Sequence, residues 1–164
     1  MKFKIIPILP LLLSFVFLTS CEKDDPEIDY MATYPVSGDW TVNYYVENDE
    51  GELEEVANHT QIIAYNTSAN VPTEIWIDDH GSFWDYKVKT SLNMTDLTFS
   101  GNELDNEHYE SKVTITDGKV IKNGTKVNGM QADSIYFRVS FDDDEEPYGT
   151  IYHAAGHRSN GFGD

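Results

Sequence analysis

From Ser134 to Phe141 the apolar residues Ile135, Phe137, Val139 and Phe141 occupy every second position. This two-residue period, repeated along the chain, is what most limits the fold. Alternation at that spacing sets one face of an extended strand against a core and leaves the other in water. Trp40, Val42, Tyr44 and Val46 repeat it near the start. Trp84, Tyr86 and Val88 repeat it again with Asp85, Lys87 and Lys89 opposite, which predicts a strand over Phe83–Lys89. Further strands are expected at about Glu55–Asn66, Glu74–Asp78, Leu97–Ser100, Tyr109–Thr116, Lys119–Lys122 and Tyr148–His157, with Val113 and Ile115 pointing inward. Asn48–Gly51 has turn chemistry and Thr67–Pro72 reads as a loop. Asp117-Gly118 and Asn123-Gly124 read as hairpin turns, because both central positions of such turns need positive φ. No segment carries a convincing helical stripe.

Eight or nine short strands at hairpin spacing describe one all-β domain, and such strands protect their edges by closing into a barrel or stacking as a sandwich. Gly38-Asp39-Trp40 favours the barrel. It resembles the Gly-x-Trp at the first strand of lipocalins and other calycins, which implies a tryptophan across the closed end covered by an arginine from late in the chain. Arg158 is the candidate cover. Arg138 fits less well, since it lies opposite the apolar face of its strand. The contact would be a guanidinium stacked on a buried indole.

The N-terminus carries a different message. Lys2 and Lys4 precede an apolar run, Ile5–Leu18, that is too short to span a bilayer, and Leu18-Thr19-Ser20 leads into the single cysteine, Cys21. Leu-Thr-Ser-Cys resembles the bacterial lipobox, which implies removal of residues 1–20 and a diacylglycerol thioether on Cys21. Two or more acyl chains suffice for stable anchoring. Residues 21–35 then read as an acidic tether and 36–164 as the barrel domain. Lys23-Asp24-Asp25 resembles a short acidic export signal, so an outer-membrane lipoprotein exposed at the cell surface is expected.

Charge narrows the partners. Eleven basic residues against 29 acidic ones give a net charge of −18. Nucleic-acid phosphates and anionic headgroups are repelled by such a surface, so no nucleic-acid partner is expected.

Several stretches together resemble a family of bacterial surface lipoproteins described as lipid-binding putative hydrolases. They are Tyr65-Asn66-Thr67, Ile75-Trp76-Ile77-Asp78-Asp79, Phe83-Trp84, Gly118-Lys119-Val120-Ile121, Asp133-Ser134-Ile135 and Gly156-His157-Arg158 with Gly161-Phe162. Ser159-Asn160 departs from the ending typical of that resemblance. The resemblance implies a calycin-like β-barrel and a hydrophobic ligand, and it carries over no catalytic residue. Tyr44, Trp84, Tyr86, Phe137 and Val139 are the inward positions expected to line a ligand cavity within the barrel. Such an interior can equally be filled by side chains.

Groups suited to chemistry are present but scattered. Asp78, Asp79, His80 and Ser82 cluster in sequence, yet no Gly-x-Ser-x-Gly elbow accompanies them, and neighbours along a turn rarely aim at one atom. They read as a polar hairpin tip. His153 and His157 share a strand face about 13 Å apart at roughly 3.3 Å per residue, too far for one ion, and could line the barrel interior instead. Asp142–Glu146 lacks the glycine and spacing of an EF-hand and reads as a solvated loop. No metal or cofactor is expected. Three functions remain open: a lipid-anchored protein holding a small apolar or amphipathic ligand, an interaction module with a filled barrel, and a hydrolase of unknown substrate.

Overall fold

The computed structural model describes residues 30–145 and 149–161. Eight strands follow one another as β1 (Gly38–Glu47), β2 (Leu53–Asn66), β3 (Glu74–Asp78), β4 (Lys87–Asn93), β5 (Thr98–Asp105), β6 (Lys112–Val127), β7 (Met130–Phe141) and β8 (Tyr152–Arg158). Each is antiparallel to its neighbours, and β8 pairs with β1, so the sheet closes on itself without a free edge. This is the all-β, calycin-like barrel that the strand count and Gly38-Asp39-Trp40 together favoured over a sandwich. The signal peptide, Cys21, most of the tether, Tyr148 and Phe162 lie outside the described residues.

One pole of the barrel is sealed by the chain entering it. The turn over residues 32–36 buries Thr33 and Val36 completely, and the Trp40 indole nitrogen donates to the Val36 carbonyl. Arg158 lies over the Trp40 ring, 4.4 Å from its centroid. Its guanidinium also donates to the carbonyls of Ser37 and Pro35 and to Asp133. The glycine two residues before Trp40 has a steric reason. Gly38 sits at φ +144°, and a Cβ there would lie 2.0 Å from the Arg158 Nη1. The Gly-x-Trp spacing thus leaves room for the guanidinium that covers the indole.

The interior is filled. Trp40, Tyr44, Ile62, Ile77, Tyr86, Val88, Val113, Ile115 and Phe137 are all 0 % exposed. A side chain that no water-sized sphere can touch lines no cavity a water could enter, and packing of this kind is ordinary for a small barrel. Tyr44 and Tyr86 bring two hydroxyls into this core and share one hydrogen bond at 3.0 Å, one donating and the other accepting. Burial pushes the pKa of both well above the ordinary phenol value, so both remain neutral donors and acceptors.

Three sequence expectations are corrected. The strand expected from Phe83 begins only at Lys87, because Asp85 takes φ 58° and breaks the alternation ahead of it. Asp117-Gly118 and Asn123-Gly124 are not hairpin turns; β6 runs straight through both. From Thr116 to Lys119 is three steps, against two from Arg138 to Tyr136 on β7, and a second irregularity falls between Ile121 and Thr125. These are β-bulges, in which one left-handed residue (Asp117 at φ 55°, Asn123 at φ 53°) accommodates the extra chain. The hairpin turn is at Asn128-Gly129, where both residues have positive φ, 51° and 81°. Finally, His153 and His157 do not face the interior. His153 pairs across from Tyr45 and Arg138, His157 across from Thr41 and Ser134, and inward-facing Ala154 is the buried member of that strand.

Candidate functional site

At the pole opposite Trp40 the barrel ends in the turn 48–52, the loops 79–86 and 106–111 and the segments 142–145 and 149–151, and here the packing opens. Loop 79–86 bridges β3 and β4 and is built around one carboxylate. Asp79 is 0 % exposed. Its Oδ1 accepts the backbone N–H groups of Gly81 (3.0 Å) and Tyr86 (2.8 Å). Its Oδ2 accepts those of Phe83 (3.0 Å), Trp84 (2.8 Å) and Asp85 (3.1 Å). Five donors that would otherwise lack a partner converge on one side chain. The left-handed conformations of His80 and Asp85 and of Gly81 follow from wrapping the chain around it.

Wrapped in this way, the loop projects two aromatic rings over the barrel mouth. Phe83 stacks on Tyr44 at 3.9 Å between centroids and meets Tyr152 edge-on at 5.2 Å. Trp84 stacks on Phe141 at 4.5 Å with planes 5° apart. The Trp84 indole nitrogen donates to Asp143 Oδ1, and the Tyr109 hydroxyl donates to Asp143 Oδ2 at 2.7 Å, which ties three loops together. Tyr152 donates its hydroxyl to Asp144. Burial, and then the Asp144 charge, raise the pKa of that phenol, so it stays protonated and keeps donating.

Phe83, Trp84, Tyr152, Val46, Val56, Asn48 and Glu54 line a cleft of about 420 Å³ that opens to solvent. Val46 faces Tyr152 on one side and Glu54 on the other in the sheet register, so the cleft floor is the rim of β8, β1 and β2. Val56 in its wall is half exposed, an arrangement that leaves apolar surface available to a ligand.

The five residues expected to line an interior cavity divide between two environments. Tyr44, Tyr86, Phe137 and Val139 do point inward, but they are sealed in the filled core. Trp84 alone lies at the accessible cleft. Sequence reasoning missed Tyr152, Val56 and Phe141 as its neighbours. The first two belong to strand ends whose alternation says only which way they point.

The polar groups of the same loop are not assembled for nucleophilic attack. The Ser82 hydroxyl lies against the carbonyls of Gln61 (2.8 Å) and Asp79 (2.5 Å), pinning the loop to β2. Asp78 accepts the His80 backbone N–H and the Tyr65 hydroxyl. The histidine that does meet carboxylates is His108, whose Nδ1 is 2.7 Å from Asp85 and whose Nε2 is 4.0 Å from Asp78; it fastens loop 106–111 to loop 79–86. Among the described residues no group of three or more histidine, cysteine or acidic side chains is arranged to hold a metal ion.

The family model described as lipid-binding putative hydrolase matches residues 25–163, and the chain belongs to that family. Comparison with curated proteins returned no match.

Proposed function

We propose that this member of the lipid-binding putative hydrolase family is a lipid-anchored surface protein that takes the apolar part of a small amphipathic ligand at the aromatic mouth of its barrel. The observation that carries the reading is the open cleft of Phe83, Trp84, Tyr152, Val46 and Val56 over a core with no interior room. Apolar walls with a few polar groups at the edge are the usual composition of a small-molecule site. Asn48 and Glu54 supply that edge and are hydrogen-bonded to each other at 2.8 Å.

Binding of dodecyl maltoside below its micellar concentration, followed by calorimetry, tests the reading with a neutral chain. Trp84→Ala removes one wall of the cleft and is expected to weaken binding by about tenfold, the equivalent of burying one aromatic face less. Unchanged affinity in Trp84→Ala would place the ligand elsewhere. The filled interior also supports a second reading, in which the same mouth receives an apolar side chain of a partner protein; the neutral chain would then not bind to the native protein.

The anchor is tested separately. Cys21→Ser removes the only thiol that lipid can be attached to. The variant is expected to move from the membrane pellet to the soluble fraction, and retention in the pellet would remove Cys21 as the anchor.

A further inference from the structure

The charge of the molecule is divided unequally between its two poles. The segments 44–58, 78–87, 103–112 and 141–145, which build the open pole, contain 17 acidic residues against only Lys87 and Lys112. The rest of the described chain contains 5 acidic and 6 basic residues. Nor do the two lysines neutralise the mouth. Lys112 is paired with Asp105, and Lys87 lies outside the barrel over Trp76, 5.1 Å from its ring centroid.

At the cleft itself no basic side chain is among the lining residues. Glu54 forms part of the wall, Asp143 is held against the Trp84 nitrogen, and Asp144 is held against the Tyr152 hydroxyl. Three aromatic rings surround the same space, and the negative face of an aromatic ring attracts a cation. An anionic head, such as the carboxylate of a fatty acid, would enter against this field. A cationic head is drawn in by it, with the low-dielectric barrel wall focusing the attraction.

We infer that the ligand of this mouth is a cationic amphiphile, an apolar chain ending in an ammonium or guanidinium group. The chain lies against Phe83, Trp84 and Val56, and the head is held by Glu54 and Asp143 at the rim. This inference rests on the mouth being the ligand site, and its test separates the two.

Three ligands with the same twelve-carbon chain, dodecyltrimethylammonium, dodecyl maltoside and dodecanoate, are titrated below their micellar concentrations at low and at high salt. The cation is expected to bind at least about tenfold tighter than dodecanoate at low salt, with the maltoside between them. The gap should shrink to about threefold at high salt, where the field is screened. Glu54→Gln is expected to weaken the cation about threefold more than it weakens the maltoside, while Trp84→Ala weakens both alike. Binding of the maltoside with no preference for the cation, or with dodecanoate tightest, overturns the charge inference and leaves the mouth as the site. Cation binding that ignores Trp84→Ala also overturns it, since the cation would then sit elsewhere on the acidic surface. Failure of all three chains to bind overturns the inference together with the reading it rests on.

Discussion

Asp79→Ala is expected to destabilise the protein by about 3–5 kcal/mol in urea unfolding, a shift of roughly 10–20 °C in Tm for a domain of this size. The figure follows from what the substitution leaves behind. Five backbone N–H groups, from Gly81, Phe83, Trp84, Asp85 and Tyr86, lose their common acceptor. Hydrogen bonds to a charged acceptor contribute about 1.5–3 kcal/mol each in isolation, but the buried carboxylate also gives up its desolvation cost when removed, so the sum is far from additive. Asp79→Asn keeps the shape yet turns an NH₂ towards donors, and should recover little of the loss. Trp84 fluorescence gives a second readout, because the indole is positioned by the same loop. A loss under about 1 kcal/mol in both variants would show that loop 79–86 is held by its aromatic, Ser82 and His108 contacts without the Asp79 carboxylate.

Gly156→Ala is the second large effect, and it strikes the closure of the barrel. Gly156 faces Val42 across the β1–β8 seam, and a Cβ there would fall 2.0 Å from the Thr41 carbonyl oxygen and 2.6 Å from the Val42 Cα. Both are backbone atoms, so no rotamer change relieves the clash and the two strands must separate. Overpacking costs about 1–3 kcal/mol where side chains can adjust. With backbone on the other side, a loss of at least about 3 kcal/mol is expected, together with faster hydrogen exchange at the amides of β1 and β8. Wild-type exchange at this seam in Gly156→Ala would mean that the strands lie farther apart there than the geometry describes.

The alternation of apolar residues made most of the barrel legible. Trp40, Val42, Tyr44, Ile135, Phe137, Val139 and Phe141 are buried on the faces that the two-residue period assigns them. Gly38-Asp39-Trp40 and Arg158 were legible as a pair because a cation over a buried indole needs a gap beside it, and glycine makes that gap. The bulges were not. Asp117-Gly118, Asn123-Gly124 and Asn128-Gly129 look alike in sequence, and all three first residues adopt positive φ. Only at Asn128-Gly129 does the glycine follow into positive φ, a choice made by the partner strand rather than by the dipeptide.

The site was legible in part for a related reason. Trp84 lies at the mouth, although the argument for it assumed an extended strand that loop 79–86 does not form. Periodicity indicates which side chains face inward, but not how much space the other inward residues leave between them. Tyr44, Tyr86 and Phe137 therefore looked like cavity walls and proved to be the filling. Asp79, one acid among 29, had no sequence mark that distinguished it from the solvated ones.

Because β8 closes onto β1, Gly38 and Arg158 meet at the same pole, with Ser159 donating its backbone N–H to the Asp39 carbonyl. Whatever is attached before β1 or after β8 leaves the barrel there, on the side away from Phe83 and Trp84. A fluorescent or affinity fusion placed after β8 therefore leaves the mouth clear. A circular permutant that links the ends and reopens the chain at Asn128-Gly129, the hairpin on the sealed side, would leave the aromatic rim undisturbed as well.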